Sequence, residues 1–254
     1  MAVERNFAHL GDMARQKRFA EPDDVPFVEW DEFLAQHFRW EQSQHVACIG
    51  PNGSGKTNLT MHILPLRKYI IATGTKPRDD VLEELATHHG FRRLQQWEPL
   101  SPSFYPKRLI WPDARDLYSA RRQQDVFRTA FSHIYREGGW CVYIDELWFF
   151  IHHLRLELEI RTFLQQARSN MISLVVLTQR PAFVPVEVYD QSTHLFFWRD
   201  NDERNLKRLS GIAWLSANKV RACIANLKKH EVLYINTRTG EMIRTIAPPP
   251  KGGK

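Results

Sequence analysis

The stretch that most constrains the fold of this 254-residue chain is "HVACIGPNGSGKTNLTMHIL", residues 45–64. Its glycine-rich turn matches the pattern GxxxxGKS/T in full and lies between a predicted strand and a predicted helix, as a phosphate-binding loop requires. The turn consists of Gly50, Pro51, Asn52, Gly53, Ser54, Gly55, Lys56 and Thr57. We therefore predict that these residues bind a nucleotide within an α/β fold of the P-loop NTPase type.

Each residue type in this turn has a physical role. Glycines let backbone N–H groups curl around phosphate oxygens, while the following helix directs its positive end at them. Lys56 can place its charge beside the β and γ phosphates, and Thr57 can offer its hydroxyl to Mg²⁺. A glycine-rich turn with a chance lysine is the alternative, but the flanking strand and helix argue against it. ATP and Mg²⁺ are the predicted cofactors.

Strand and helix signals alternate along the rest of the chain. Most of the apolar runs are continuous, which is typical of strands buried on both faces of a mainly parallel sheet. Strands are predicted at 45–50, 68–73, 108–112, 140–146, 172–178 and 193–198, and helices at 57–66, 79–90, 115–136, 154–168, 201–209 and 214–227. This order predicts a doubly wound sheet with helices on both faces, closed by a C-terminal β-hairpin over 231–248.

The predicted domain covers residues 28–247, between an N-terminal extension (1–27) and a disordered tail (248–254) that is rich in proline and glycine. At the start of this domain, residues 27–38 have the apolar spacing of a short amphipathic helix. The apolar positions are Trp30, Phe33, Leu34 and Phe38. We expect them to pack on the core.

Two acidic residues follow the apolar run "WCVYI". Asp145 and Glu146 are thereby placed at the carboxyl edge of the sheet, where ligands bind in open α/β folds. Asp145 is predicted to hold the Mg²⁺ shell, and Glu146 to act as the general base that polarises the attacking water. The two acids and the phosphate loop together favour ATP hydrolysis over binding alone.

Composition adds a preference about partners and location. The net charge is +6 and the pI is near 9.3, which favours a polyanionic partner, although a solvated basic surface would give the same values. Cys48, Cys141 and Cys223 have no metal or disulfide spacing, and we expect Cys48 and Cys141 to pack in the core. The sequence shows no signal peptide and no membrane-spanning run, so a cytoplasmic location without direct membrane insertion is expected.

The block "ARSNMISLVVLTQRP" carries a more specific signal. A helix that ends in an arginine, then an apolar strand, then TQRP resembles the FtsK and HerA superfamily of hexameric DNA-pumping ATPases. The resemblance extends over about residues 28–247 and includes the phosphate loop, the acidic pair and the downstream "THLFFWRDNDERNLKRL". It implies a RecA-like motor domain, a homo-oligomeric ring of six subunits and double-stranded DNA as partner.

The resemblance also assigns roles to three further residues. Gln179 would lie beside the γ phosphate and report its presence, because an amide can both donate and accept hydrogen bonds. Arg168 would be the finger that reaches a neighbouring subunit's nucleotide and stabilises the transferring group. Arg161 is the alternative finger. A finger supplied by a neighbour requires an oligomer.

Contacts with DNA are expected at backbone phosphates. The resemblance points to the segment after the acidic pair as a possible channel loop, with His152, His153 and Arg155 as its basic members. The alternatives are that the histidines are ordinary surface residues and that "WFFI" belongs to the core or to a subunit interface. Lys76 and Arg78 follow the second predicted strand at the same edge of the sheet. They could add charge near either the nucleotide or the DNA.

The sequence favours an ATP-driven double-stranded DNA translocase, most like the stand-alone viral genome-packaging ATPases. Such a motor would work in the host cytoplasm or on the virion, at a capsid portal vertex. A DNA pump for conjugation or for chromosome or plasmid transfer, brought to a membrane by a partner protein, is one alternative. The others are a nucleotide-gated regulatory ATPase that does not move DNA and a small-molecule kinase, which TQRP disfavours.

Overall fold

The apolar runs of the sequence form one mixed sheet in the computed structural model, which describes residues 25–116, 118–208 and 216–249. Its strands are β1 (His45–Ile49), β2 (Ile70–Thr73), β3 (Arg92–Leu94), β4 (Lys107–Ile110), β5 (Cys141–Ile144), β6 (Ser173–Thr178), β7 (Ser192–Trp198), β8 (Val232–Asn236) and β9 (Met242–Thr245). They are ordered β3-β4-β2-β5-β6-β1-β7-β8-β9. In this order, all neighbouring strands from β3 through β7 pair in parallel, whereas β8 pairs antiparallel with β7 and β9 pairs antiparallel with β8.

Helices connect these strands. They are α1 (Trp30–Glu32, continued as a π-helix over Phe33–His37), α2 (Lys56–Ile63), α3 (Asp80–His88), α4 (Ser119–Glu137), α5 (Leu147–His152), α6 (Glu157–Gln166), α7 (Glu187–Asp190), α8 (Glu203–Arg208) and α9 (Ala217–Asn226). None of these helices, within the described residues, has the length and apolar character needed to cross a bilayer.

Both faces of the sheet are covered, which explains the continuous apolar runs. Alternate residues of β1 enter two separate cores: Val46 and Cys48 pack with α1, α2 and α3, whereas Ala47 and Ile49 pack with α4, α5, α6 and α9. Each fully buried large apolar side chain in these cores contributes ~1.5–3 kcal/mol through its removal from water. Cys141 is also buried in its strand, so both strand cysteines are core residues, as predicted.

The predicted doubly wound sheet and its C-terminal hairpin are confirmed, but the sequence missed β3, α5 and α7. Only Leu94 is buried in the three-residue edge strand β3, so the sequence carried little signal there. The segment that we expected to be a channel loop is largely the helix α5, which buries Leu147, Phe150 and Ile151. This i, i+3, i+4 spacing was present in the sequence as a helical signal.

Described residues just outside both predicted domain boundaries contact the domain. Phe27 pairs with Arg244 of β9, and Val25 is 1% exposed, so residues that precede position 28 pack on the domain. At the other end, the Pro248 carbonyl accepts hydrogen bonds from two side chains of α2, at 2.6 and 3.1 Å. Pro248 therefore contacts the domain, while the remainder of the predicted tail (250–254) and residues 1–24 lie outside the described residues.

The strand order brings the predicted site residues to one edge. The adjacent strands β2, β5, β6 and β1 are parallel, so the segments that follow their carboxyl ends lie side by side. Those segments contain Lys76, the acidic pair, Gln179 and the phosphate loop, respectively. This is the edge at which ligands bind in open α/β sheets.

Candidate nucleotide-binding site

The phosphate loop is built around glycines that no other residue could replace without strain. Gly53 and Gly55 have φ of +69° and +110°, a backbone region that side-chain-bearing residues rarely adopt. Gly50 is constrained differently, because a Cβ at this position would lie 2.7 Å from Cβ of Trp198 on β7. The loop thus needs glycine for conformation at two positions and for close packing at a third.

Lys56 begins α2 and is held inside the loop. Its Nζ donates to the carbonyl oxygens of Gly50 at 2.7 Å and Pro51 at 2.8 Å, and the residue is only 7% exposed. Burial lowers the pKa of Lys56, and the nearby carboxylate of Asp145 opposes this shift. The ammonium is therefore close to the loop's backbone, where it can exchange carbonyl contacts for phosphate oxygens.

A polar cavity of about 250 Å³ joins the loop to the acidic pair. It is lined by Asn52, Gly53, Ser54, Gly55, Lys56, Thr57, Asn58, Lys76, Asp145, Glu146 and Gln179. The structure thus brings Lys56, Thr57, the acidic pair and Gln179 together around one space, as the motifs predicted. The positive end of α2 is directed at this space, which suits an anion.

Thr57 and Asp145 supply the donors that a magnesium ion prefers, a hydroxyl and a carboxylate oxygen in one cavity. Asp145 already accommodates a positive charge, since Nζ of Lys76 lies 3.6 Å from its Oδ2. Burial raises the pKa of Asp145, and the charge of Lys76 acts against that rise. The residues present therefore fit a divalent cation in this position.

Glu146 has an unusual backbone conformation and a defined partner. Its φ of +63° turns the chain sharply between β5 and α5. Gln179, the residue directly after the neighbouring β6, donates through Nε2 to both carboxylate oxygens of Glu146, at 2.8 and 3.1 Å. Burial and the charge of Asp145 raise the pKa of Glu146, which suits a general base more than an ordinary exposed glutamate.

A second cavity, also of about 250 Å³, lies next to the loop and is mainly apolar. It is lined by Gly55, Asn58, Leu59, Trp198, His230, Val232, Ile246, Ala247 and Pro249. An apolar cleft beside a phosphate site can take the flat base of a nucleotide. No local sequence pattern predicted this cleft, because its walls come from four separated segments that only the fold brings together.

The two candidate arginine fingers differ in their surroundings. Arg161 forms ion pairs with Glu157 at 3.3 Å and Glu187 at 3.6 Å. Arg168 is exposed, and among the described residues it forms no ion pair. Arg168 lies in the turn Ala167–Asn170, which precedes β6, and the Asn170 carbonyl of this turn accepts a hydrogen bond from the N–H of Gly139, just before β5. Arg168 is therefore at the amino edge of the sheet, opposite the phosphate loop of its own subunit.

The predicted DNA-binding residues fall into two groups. His152, His153 and Arg155 are exposed at the end of α5 and just beyond it, where His152 contacts the Phe183 carbonyl at 2.8 Å. Lys76 instead lines the phosphate cavity, and Arg78 is exposed on the same loop. The sequence left open whether Lys76 lies near the nucleotide or near the DNA, and its contacts agree with a position near the nucleotide.

Comparisons with known proteins find similarity at the level of the fold. No protein-family model matches the chain, and no curated protein matches its sequence. Among solved structures, the genome packaging NTPase B204 from Sulfolobus turreted icosahedral virus 2, in complex with AMPPCP, is similar with a TM-score of 0.60 and 15% identity over 82% of this chain and 98% of that chain. This chain therefore shares the fold of a P-loop NTPase.

Two further structures share this fold. B204, the DNA-packaging ATPase from Sulfolobus turreted icosahedral virus, has a TM-score of 0.60 and 17% identity, covering 83% of this chain and 100% of that chain. VirB4 of Thermoanaerobacter pseudethanolicus has a TM-score of 0.59 and 12% identity, covering 81% and 89%. The resemblance inferred from the sequence motifs is therefore confirmed for the fold, which this chain shares over most of its length.

Proposed function

We propose that this chain is an ATP hydrolase that uses ATP to translocate double-stranded DNA. It would act as a homo-oligomeric ring of the viral genome-packaging type. The observation that carries the proposal is the pairing of Gln179 with Glu146 in the same cavity as the complete phosphate loop. A fold shared with packaging NTPases, one of them solved with AMPPCP and with ATPγS, supports it.

The chain's own residues suggest how hydrolysis is controlled. Lys56 would move from the loop carbonyls to the β and γ phosphates, while Thr57 and Asp145 would hold Mg²⁺, which supplies charge to the phosphate oxygens. Glu146 would accept the proton of the attacking water. Gln179 holds both oxygens of that carboxylate. A γ phosphate that attracts the amide of Gln179 would free Glu146, so the base would be available only when nucleotide is bound.

The position of Arg168 supports an oligomer. An arginine at the amino edge cannot reach the phosphate loop of its own subunit across β6, whose six residues span roughly 20 Å. It is exposed and can therefore face a neighbour. In a ring, Arg168 would complete the neighbour's site, and a capsid portal vertex or a membrane-anchoring protein would hold the ring in place.

DNA-dependent turnover tests the proposal. ATP hydrolysis should rise when duplex DNA is added at low salt, and the stimulation should increase with duplex length, because a moving ring remains longer on longer DNA. Particles imaged with DNA and a nonhydrolysable analogue should be rings around the duplex. Turnover that is indifferent to DNA at every length would favour a nucleotide-gated regulatory ATPase instead.

A further inference from the structure

Lys76 is held in the phosphate cavity by its surroundings. It lies in the loop 74–79 between β2 and α3, where Nε1 of Trp111 donates to its carbonyl at 2.7 Å. Gly74 packs so closely that a Cβ would be 2.8 Å from the Trp111 ring. At the other end of the loop, Asp79 accepts hydrogen bonds from two backbone N–H groups of α3, each at 3.2 Å. The loop is therefore fixed by Trp111, directly after β4, and by the first turn of α3.

The ammonium of Lys76 bridges two carboxylates. Its Nζ lies 3.3 Å from Oδ2 of Asp79 and 3.6 Å from Oδ2 of Asp145. Asp79 is fixed by its role as the N-cap of α3, so it keeps the ammonium beside Asp145. Asp145 is also the carboxylate that fits a magnesium ion. A lysine and a divalent cation would repel each other there, and only one of them can sit against this oxygen.

We propose that Lys76 is a positioning residue that substitutes for the metal ion at Asp145 in the nucleotide-free protein and is displaced when nucleotide and Mg²⁺ bind. The inference rests on the proposed function, because it takes the cavity as an ATP site. Lys76 keeps Asp145 neutralised and directed into the cavity. It also disfavours a metal ion that arrives without phosphates, because the ion must then compete with the ammonium for Asp145, whereas the phosphates bring negative charge that can hold the displaced ammonium.

Binding of Mn²⁺ to the nucleotide-free protein tests this directly, with the free ion counted by electron paramagnetic resonance. Lys76→Met should bind Mn²⁺ about fivefold more tightly than wild type, which corresponds to ~1 kcal/mol, the upper range for a partly exposed ion pair. Lys76→Gln should show the same gain. Lys76→Arg, which keeps the charge, should bind as wild type does.

Arg78→Met is the matched control, because Arg78 lies on the same loop and is exposed. It should leave Mn²⁺ affinity unchanged. Equal affinity in wild type, Lys76→Met and Lys76→Gln would overturn the inference. So would a loss of DNA stimulation in Lys76→Met without any change in Mn²⁺ binding, which would make Lys76 a DNA contact. The binding measurement needs no turnover, so it stands apart from a failure to hydrolyse ATP.

Discussion

Gly50 offers a quantitative test of how the phosphate loop is built. A Cβ at this position would lie 2.7 Å from Cβ of Trp198 and 3.1 Å from Oγ of Ser54. Carbon atoms in favourable contact are about 3.5–4.0 Å apart, so Gly50→Ala creates an overlap of roughly 1 Å. Trp198 is 3% exposed, and its Cβ is fixed to the backbone of β7, so no rotamer change relieves the overlap.

The backbone of the loop or of β7 must therefore shift. Overpacking of this kind costs about 1–3 kcal/mol, and each kcal/mol lowers Tm by about 2–4 °C in a chain of this size. We expect Gly50→Ala to lower Tm by about 2–12 °C in thermal unfolding followed by circular dichroism. Because the Gly50 carbonyl accepts from Lys56, ATPγS affinity measured by calorimetry should fall as well.

Asn52→Ala is the stability control, since Asn52 is an exposed residue of the same loop. Its free energy of unfolding, judged from the Tm, should lie within about 0.5 kcal/mol of the wild-type value. If Gly50→Ala unfolds at the same temperature as Asn52→Ala and binds ATPγS as wild type does, the close approach of the loop to β7 does not constrain this position.

Three other predictions concern the ionisable groups of the site. The kcat/KM for ATP should fall on acidification with a midpoint above the ordinary glutamate pKa, because Glu146 must be ionised to act as base and burial raises its pKa; a midpoint at the ordinary value would contradict the assignment. Asp145→Asn should raise the Tm of the ligand-free protein at neutral pH. Burial raises the folded-state pKa of Asp145, so the folded state binds more protons than the unfolded chain between the two pKa values, and stability falls as pH rises through that window. An unchanged or lower Tm would count against this sign. Mixing Arg168→Ala with Lys56→Ala subunits should restore part of the lost ATPase activity, and no recovery at any ratio would argue against a finger that acts across subunits.

Local patterns predicted the parts of the site that are contiguous in sequence. The phosphate loop could be predicted because its glycines, lysine and threonine lie within eight residues between a strand and a helix. The acidic pair could be placed because a buried strand ends there. These features depend on backbone periodicity and on short-range geometry, which a single sequence records.

Local sequence patterns could not predict the contacts between residues on different strands. The hydrogen bonds from Gln179 to Glu146 depend on the register of β5 against β6, which pairs Ile144 with Val176. The ion pair of Lys76 with Asp145 likewise depends on β2 lying next to β5. Register and strand order are set by packing of the whole sheet, so residues far apart in sequence meet only in the folded chain.

We infer that the loop from Gly50 to Thr57 and the carboxylate of Glu146 form one ATP-hydrolysing site. Glu146→Gln tests it most directly, with ATPγS binding and ATP turnover measured on the same preparation. We predict wild-type affinity with turnover reduced by about 10²–10⁴-fold, the contribution expected of a general base. Wild-type turnover in Glu146→Gln, or no measurable nucleotide binding by the wild-type chain, would contradict the account.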